Sequence, residues 1–126
     1  MMHEQRQVTA TGIYEGGFKA DGRCTPTATR IEGLAALYGL AQRQDDIKLM
    51  QDIAASIGPA ATFLLTCQLV DGVHAGGVLR AVAKLPDTPG NKTFNRRQSE
   101  IRIDYVQHAI SAFHGAEHVL TDSASR

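Results

Sequence analysis

The sequence predicts an all-α domain, and three observations lead to this class. Apolar residues recur at the three-to-four-residue spacing of an amphipathic helix in segments 25–44, 45–70 and 101–120. No segment shows the sustained alternation of apolar and polar residues that a half-buried strand requires. Glycine and proline are concentrated in the stretches between these segments, 1–27 and 71–100, as expected of connections.

The first 27 residues are glycine-rich and polar, so they predict a loop or N-terminal segment. A helical domain is then expected over residues 28–119. Thr27 or Thr29 can cap its first helix, and Glu32 stands three residues after Thr29 in the spacing of a capping box. The apolar residues of this helix cover most of its circumference, which indicates that it is buried.

The second helical stretch runs from about Asp45, its expected cap, to Val70. Gly58 and Pro59 interrupt the apolar pattern, since proline inside a helix removes a hydrogen bond. The sequence leaves two alternatives open here. Either one helix kinks at this point, or a new helix begins with Pro59 in its first turn.

A long loop is expected over about residues 71–100, followed by a last helix that begins near Ile101. Residues 120–126 are expected to form a disordered tail.

Composition excludes several classes of protein. The 126 residues carry 13 basic and 13 acidic side chains. Binding to nucleic acid requires an excess of positive charge, so nucleic acid is not predicted as a partner. The sequence contains no run of about 18 apolar residues, so no membrane span is predicted. The two cysteines, Cys24 and Cys67, are too few for a disulfide scaffold, and we expect reduced thiols in a cytoplasmic protein. No cofactor motif is recognised, and no cofactor is predicted.

Two parts of the chain resemble each other and suggest a repeat. Gly-Gly-Phe at 16–18 precedes Arg-Ile-Glu at 30–32, and Gly-Gly-Val at 76–78 precedes Arg-Ile-Asp at 102–104. Repetition of this kind suggests stacked helical hairpins, each of which buries its apolar face against the next.

The run PAATFLLTCQLVDGVH at 59–74 resembles the glutamine-tryptophan repeat of the terpenoid cyclase and protein prenyltransferase superfamily. The first position of the run, Pro59, replaces the usual basic residue of that repeat, and His74 replaces its tryptophan. The matching residues are Ala60, Phe63, Leu64, Gln68 and Gly72.

The resemblance implies a toroid of paired inner and outer helices, of which this chain would be a part rather than a closed barrel. Segment 46–70 would be an outer helix, and the helices that open at Arg30 and Arg102 would be inner ones. Inner helices line the central cavity in that superfamily. The resemblance therefore implies that polar residues on these two helices face a small-molecule ligand, with Arg30, Arg102 and Tyr105 as binding residues.

Three further residues are candidates for catalysis. Glu32 and Asp104 hold the same place in the suspected repeat, and two carboxyl groups facing one cavity would act as acid and base or hold a cationic group. His108 follows Asp104 by one helical turn, so the carboxylate can orient its imidazole. The alternatives are structural. The helix dipole stabilises an acidic residue in the first turn, and a surface histidine commonly pairs with an acid.

Metal chemistry is not predicted. His114, Glu117 and His118 have the H-x-x-E-H spacing of one zinc peptidase class, but too little chain follows them for the further ligand, and we interpret the match as chance. Asp21 and Cys24 resemble part of a prenyltransferase zinc site at a different spacing, and a single exposed thiol is the alternative.

Function remains open between two classes. The first is a helical module that binds a small ligand or a partner, including a larger helical partner or a second copy of itself. The second is an enzyme of the terpenoid-cyclase or sugar-processing toroid type. A closed toroid needs roughly 300 residues, so we expect some apolar side chains of this shorter chain to lie at an interface.

Overall fold

Three long helices form the fold, as the apolar periodicity predicts. The structure is a computed structural model that describes residues 12–126. Within this range it contains no extended strand, only three isolated β-bridges, and it does not close into a barrel. The helices are α1 (Cys24–Arg43), α2 (Ile47–Thr66), the short α3 (Lys92–Arg97) and α4 (Ile103–Ala124), with 3-10 turns at Gly12–Tyr14 and Pro89–Asn91.

Helix α1 begins at Cys24, before the expected caps. Pro26 lies in the first turn, where the missing N–H of proline costs no helical hydrogen bond. Thr27 is buried inside the helix, and its hydroxyl accepts a hydrogen bond from the Phe18 N–H at 2.9 Å. The expected capping box at Thr29 and Glu32 is therefore wrong, because both residues lie within the helix.

Helix α2 passes through Pro59 without ending, which decides between the two alternatives in favour of one helix. Its cap is Asp46, whose carboxylate accepts the Leu49 N–H at 3.0 Å, and not the expected Asp45. Burial compensates for the hydrogen bond that proline removes, since the residues around it pack completely into the core. These residues are Ile57, Ala60, Phe63 and Leu64.

Helices α1 and α4 run parallel to each other. A β-carbon added at Gly115 would lie 2.9 Å from that of Ala35, and further along both helices Tyr38 donates a hydrogen bond to Asp122 at 2.6 Å. Helix α2 returns antiparallel to α1, because the chain connects them through a turn of three residues at 44–46. The core lies where the three long helices meet.

Backbone bridges and side-chain hydrogen bonds attach the predicted loop at 71–100 to the rest of the fold. Isolated bridges join Gln68 to Val78, Leu79 to Ile101, and Ala81 to Arg23 just before α1. Asn95 of α3 also forms two side-chain hydrogen bonds with the backbone of Leu85. This segment therefore links the end of α2 to the starts of both α1 and α4.

The expected disordered tail at 120–126 is wrong for most of its length. Helix α4 continues to Ala124. Val119 is fully buried, and Asp122 accepts the hydrogen bond from Tyr38, so contacts with the core hold the last turns in place.

The two cysteines form a disulfide, which corrects the expectation of reduced thiols and of an exposed Cys24. Their Cα atoms are 6.6 Å apart, within the range that a disulfide spans. Cys24 is 1% exposed and Cys67 is completely buried. The bond fastens the start of α1 to the end of α2. Composition alone missed it because the two residues are separated by 43 positions.

No helix within residues 12–126 combines the length and the apolar character needed to cross a membrane.

Candidate functional site

The packing of the parallel helices α1 and α4 brings two of the three candidate catalytic residues into contact. Glu32 Oε2 of α1 lies 3.0 Å from His108 Nδ1 of α4, and both side chains are partly exposed. A carboxylate at this nitrogen fixes the tautomer that keeps Nε2 available as an acceptor. The sequence named both residues but predicted Asp104 as the partner of His108.

Asp104 lies in the first turn of α4, whereas Glu32 lies two turns into α1. They do not hold equivalent helix positions, so the register of the suspected repeat is wrong by about two turns. Arg23, which directly precedes α1, is the structural counterpart of Arg102, which directly precedes α4. Because Asp104 and His108 are one turn apart on α4, Asp104 still lies on the side of the helix that carries His108.

Asp104 takes part in an ion pair with its neighbour. Its Oδ1 lies 3.1 Å from Arg102 Nε, but the same oxygen accepts no hydrogen bond of acceptable geometry and is shielded from solvent. We therefore regard the contact as an electrostatic attraction rather than a directed hydrogen bond. It corresponds to the structural alternative for an acid beside an arginine at a helix start.

The three expected ligand-binding residues are divided between two places. The Arg102 guanidinium lies 5.8 Å from the centre of the Tyr105 ring, at the start of α4. Arg30 lies within α1 and places its guanidinium 5.3 Å from the centre of the Phe18 ring. Arg102 and Tyr105 therefore form one local group, and Arg30 contacts a different aromatic residue.

Tyr105 also belongs to a network that the sequence did not reveal. Its hydroxyl donates to Glu100 Oε1 at 2.8 Å, and Arg97 forms two further hydrogen bonds with the same carboxylate, at 2.9 and 3.0 Å. The hydrogen bond from Arg97, and after it that from Tyr105, lowers the pKa of Glu100 from 4.5 to about 2. Burial, followed by the bond to Glu100, raises the pKa of Tyr105.

A small cavity opens beside Tyr105, where α1 and α4 both begin. Its volume is about 180 Å³, and its lining combines two arginines, a hydroxyl and a phenol ring. The lining residues are Arg23, Thr25, Pro26, Arg80 and Tyr105. Of these, only Tyr105 was a candidate from the sequence. Arg80 comes from the segment that was expected to be a loop.

The potential metal ligands do not converge. His114, Glu117 and His118 lie on the exposed side of α4, along a groove at its C-terminal half. No group of three or more His, Cys, Asp or Glu side chains in the described part of the chain has the arrangement of a metal site. Cys24 is bonded to Cys67, and Asp21 pairs with Arg23 at 2.8 Å. Asp21 therefore serves in an ion pair and Cys24 in a disulfide, and their spacing does not indicate a shared metal site.

Comparison with protein-family models, curated proteins and solved structures finds no match to this chain. The assignment of a function therefore depends on the geometry described above.

Proposed function

We propose that the chain is an α/α helical repeat module that binds a helical partner through the outward face of α4. The observation that carries this proposal is the exposure of two large apolar side chains on that face. Ile103 is 87% exposed and Ile110 is 64% exposed, and they lie two turns apart on the same side of the helix. Exposed apolar side chains aligned in this way are typical of protein contacts.

The helix order supports the toroid resemblance as part of this proposal. In a toroid of paired helices, successive inner helices run parallel and each outer helix runs antiparallel between them. The directions of α1, α2 and α4 are compatible with this pattern if α2 is taken as the outer helix, as the resemblance implies. The last inner helix of such a series would be covered by the next hairpin, which would contact the outward face of α4.

A second copy of this chain is the simplest partner to test. The formal net charge of zero gives little electrostatic opposition to association. We expect sedimentation velocity at micromolar concentration to show a dimer for the unmodified chain and a monomer for Ile110→Glu, since a charge on an apolar contact prevents its burial. Leu65→Glu is the matched control, because Leu65 is also exposed, at 55%, but lies on α2.

Two outcomes would count against this proposal. A monomer of the unmodified chain across the micromolar range would exclude the second copy as the partner. Loss of association in Leu65→Glu, with Ile110→Glu still dimeric, would place the contact away from α4.

The contact between Glu32 and His108 favours a second candidate function, an enzyme of the cyclase or sugar-processing toroid type. In this function His108 would act as a general base, Glu32 would hold its tautomer, and Asp104 would supply the second carboxyl group. Arg30, Arg102 and Tyr105 would contact the substrate. Replacing His108 with Asn would then abolish turnover of a reactive aryl glycoside panel without changing the melting temperature. No turnover by the unmodified chain on any glycoside would count against the sugar-processing form.

The disulfide also changes the compartment that we propose. Disulfides persist in oxidising environments and are rare in the cytosol. The cytoplasmic location expected from the sequence depended on reduced thiols, and we propose an oxidising compartment in its place.

A further inference from the structure

We propose that His114 and His118 of α4 bind a zinc ion together with the same two residues of a second copy of the chain. This inference rests on the proposed contact of α4 with a second copy, and it names the ion that the two copies share. The two histidines are four positions apart on one helix, so their side chains lie on the same face. Two histidines at this spacing on a helix are an established pair of zinc ligands.

Both imidazoles are accessible to an ion from solvent. His114 and His118 are exposed, and they line one open groove along the C-terminal half of α4. Within residues 12–126 neither ring forms a hydrogen bond or an ion pair, whereas His108 is held by Glu32 at 3.0 Å. The ring nitrogens of His114 and His118 therefore have no competing contact with the described part of the chain.

One chain does not complete the coordination of the ion. Zinc in structural sites takes four ligands in a tetrahedron. In the described range no third His, Cys, Asp or Glu side chain joins the two histidines in an arrangement that would hold a metal. Asp122, one turn beyond His118, already accepts hydrogen bonds from Tyr38 at 2.6 Å and from Arg126 at 2.9 Å. Two coordination positions are therefore left for ligands from outside the chain.

A second copy supplies these ligands through the symmetry of a two-fold contact. Such a contact buries the same surface of both chains, so residues near the axis lie opposite their own copies. His114 follows Ile110 by one turn on the exposed side of α4, and Ile110 is 64% exposed. The two histidines therefore continue the apolar surface that is proposed to meet the second copy, and two facing pairs of imidazoles provide four nitrogen ligands.

Zinc is the ion that this set of ligands favours. Imidazole nitrogen suits zinc, copper and nickel, whereas magnesium and calcium prefer oxygen ligands. A tetrahedron of four ligands suits zinc, whereas divalent copper and nickel favour planar arrangements. Magnesium is therefore the control ion for a test with zinc.

The test combines calorimetric titration with sedimentation velocity, both on the full, untagged chain in its oxidised form. Zinc chloride or magnesium chloride is titrated into the chain, and sedimentation is compared in zinc chloride, in magnesium chloride and in EDTA. We expect one zinc ion to bind for every two chains. Zinc should lower the dissociation constant of the dimer at least about tenfold relative to EDTA, because the ion binds only across the contact, and magnesium should not change it.

Variants locate the ion. His114→Gln and His118→Gln should each weaken zinc binding at least about tenfold, since loss of even an outer partner of a metal ligand has an effect of this size. His74→Gln, at an exposed histidine outside α4, is the matched control and should bind zinc as the unmodified chain does. All three positions are exposed, so the variants should melt at the same temperature as the unmodified chain in EDTA.

The shared ion is overturned if zinc binds no more tightly than magnesium, or if one zinc ion binds to each chain without association. It is equally overturned if His74→Gln weakens zinc binding as much as His114→Gln does. A dimer in EDTA that zinc leaves unchanged supports the apolar contact through α4 and overturns the shared ion. A monomer in EDTA that zinc converts to a dimer supports the shared ion and shows that the apolar contact alone is too weak, so the two proposals fail separately.

Discussion

Among residues 12–126, Glu100 shows the clearest effect of its surroundings on the pKa of a side chain. It lies between α3 and α4, and it accepts hydrogen bonds from Arg97 and Tyr105. These donors favour the charged carboxylate, so its pKa falls to about 2. A carboxyl group whose pKa is lower in the folded state stabilises the fold above its unfolded pKa, and this stabilisation is lost as the pH falls through the folded value.

We therefore predict that Glu100→Gln makes the free energy of unfolding less dependent on pH in the acidic range. The variant should be less stable than the unmodified chain near neutral pH, and the difference should shrink as the pH falls from about 4.5 towards about 2. Urea unfolding at a series of pH values measures this difference. Glu117→Gln, at an exposed glutamate of α4, is the control and should show no such trend. A constant difference at every pH would mean that the charge of Glu100 does not stabilise the fold.

At this scale the sequence identified residues better than it identified contacts. Glu32 and His108 were both candidates, but the expected partner of His108 was Asp104, because spacing along one helix is visible in a sequence. The observed contact joins positions 76 apart and depends on how α1 packs against α4. Thr25, Arg80 and Glu100 were missed for a similar reason, since nothing in their local sequence indicates the cavity or the network around Tyr105.

Of all the glycines, Gly16 leaves the least room for a side chain, because it lies directly against α2. Gly16 has a φ of +83°, and a β-carbon added there would overlap the Pro59 carbonyl oxygen in the middle of that helix. Gly76 has nearly the same φ, +86°, but a β-carbon there would meet nothing within 4 Å. The two glycines therefore separate the cost of backbone conformation from the cost of packing.

We predict that Gly76→Ala lowers the free energy of unfolding by about 1 kcal/mol, the cost of a left-handed conformation for alanine. Gly16→Ala should cost roughly 2–4 kcal/mol, because the overlap with α2 adds to the same backbone cost. Chemical denaturation of both variants measures the two values. Equal losses would show that the 16–18 segment moves away from α2 at little cost.

Element positions were largely predictable, and element ends were not. Apolar periodicity placed α1, α2 and α4 because each buries a continuous stripe of side chains. The start of α1 was placed too late because Pro26 was taken as part of the connection, although proline is compatible with a first helical turn. The end of α4 was placed too early because burial of Val119 and the bond from Tyr38 to Asp122 come from tertiary packing.

For the molecule as a whole, the parallel arrangement of α1 and α4 determines where chemistry can occur. It places both helix starts, the Tyr105 network and the cavity beside Tyr105 at one end, and the contact between Glu32 and His108 further along the two helices. The sequence predicted the class and a repeat of hairpins. It did not predict the disulfide, because whether two distant cysteines meet depends on this packing.

The disulfide contributes to the stability of the whole molecule. It closes a loop between positions 43 apart, and the restriction of the unfolded chain by a loop of this size corresponds to about 4 kcal/mol. We expect the double variant Cys24→Ala, Cys67→Ala to melt roughly 15 °C below the oxidised chain, as measured by calorimetry.

The reduced, unmodified chain is the control, and it should melt close to the double variant if the bond rather than the packing of the sulfur atoms provides the stability. Because the disulfide leaves no thiol and both cysteines are buried, a thiol reagent should label neither of them in the native oxidised chain, and labelling should require both denaturant and reductant. Two thiols that react in denaturant without reductant would contradict the bond. They would also remove the argument for an oxidising compartment, because that argument depends on the disulfide alone.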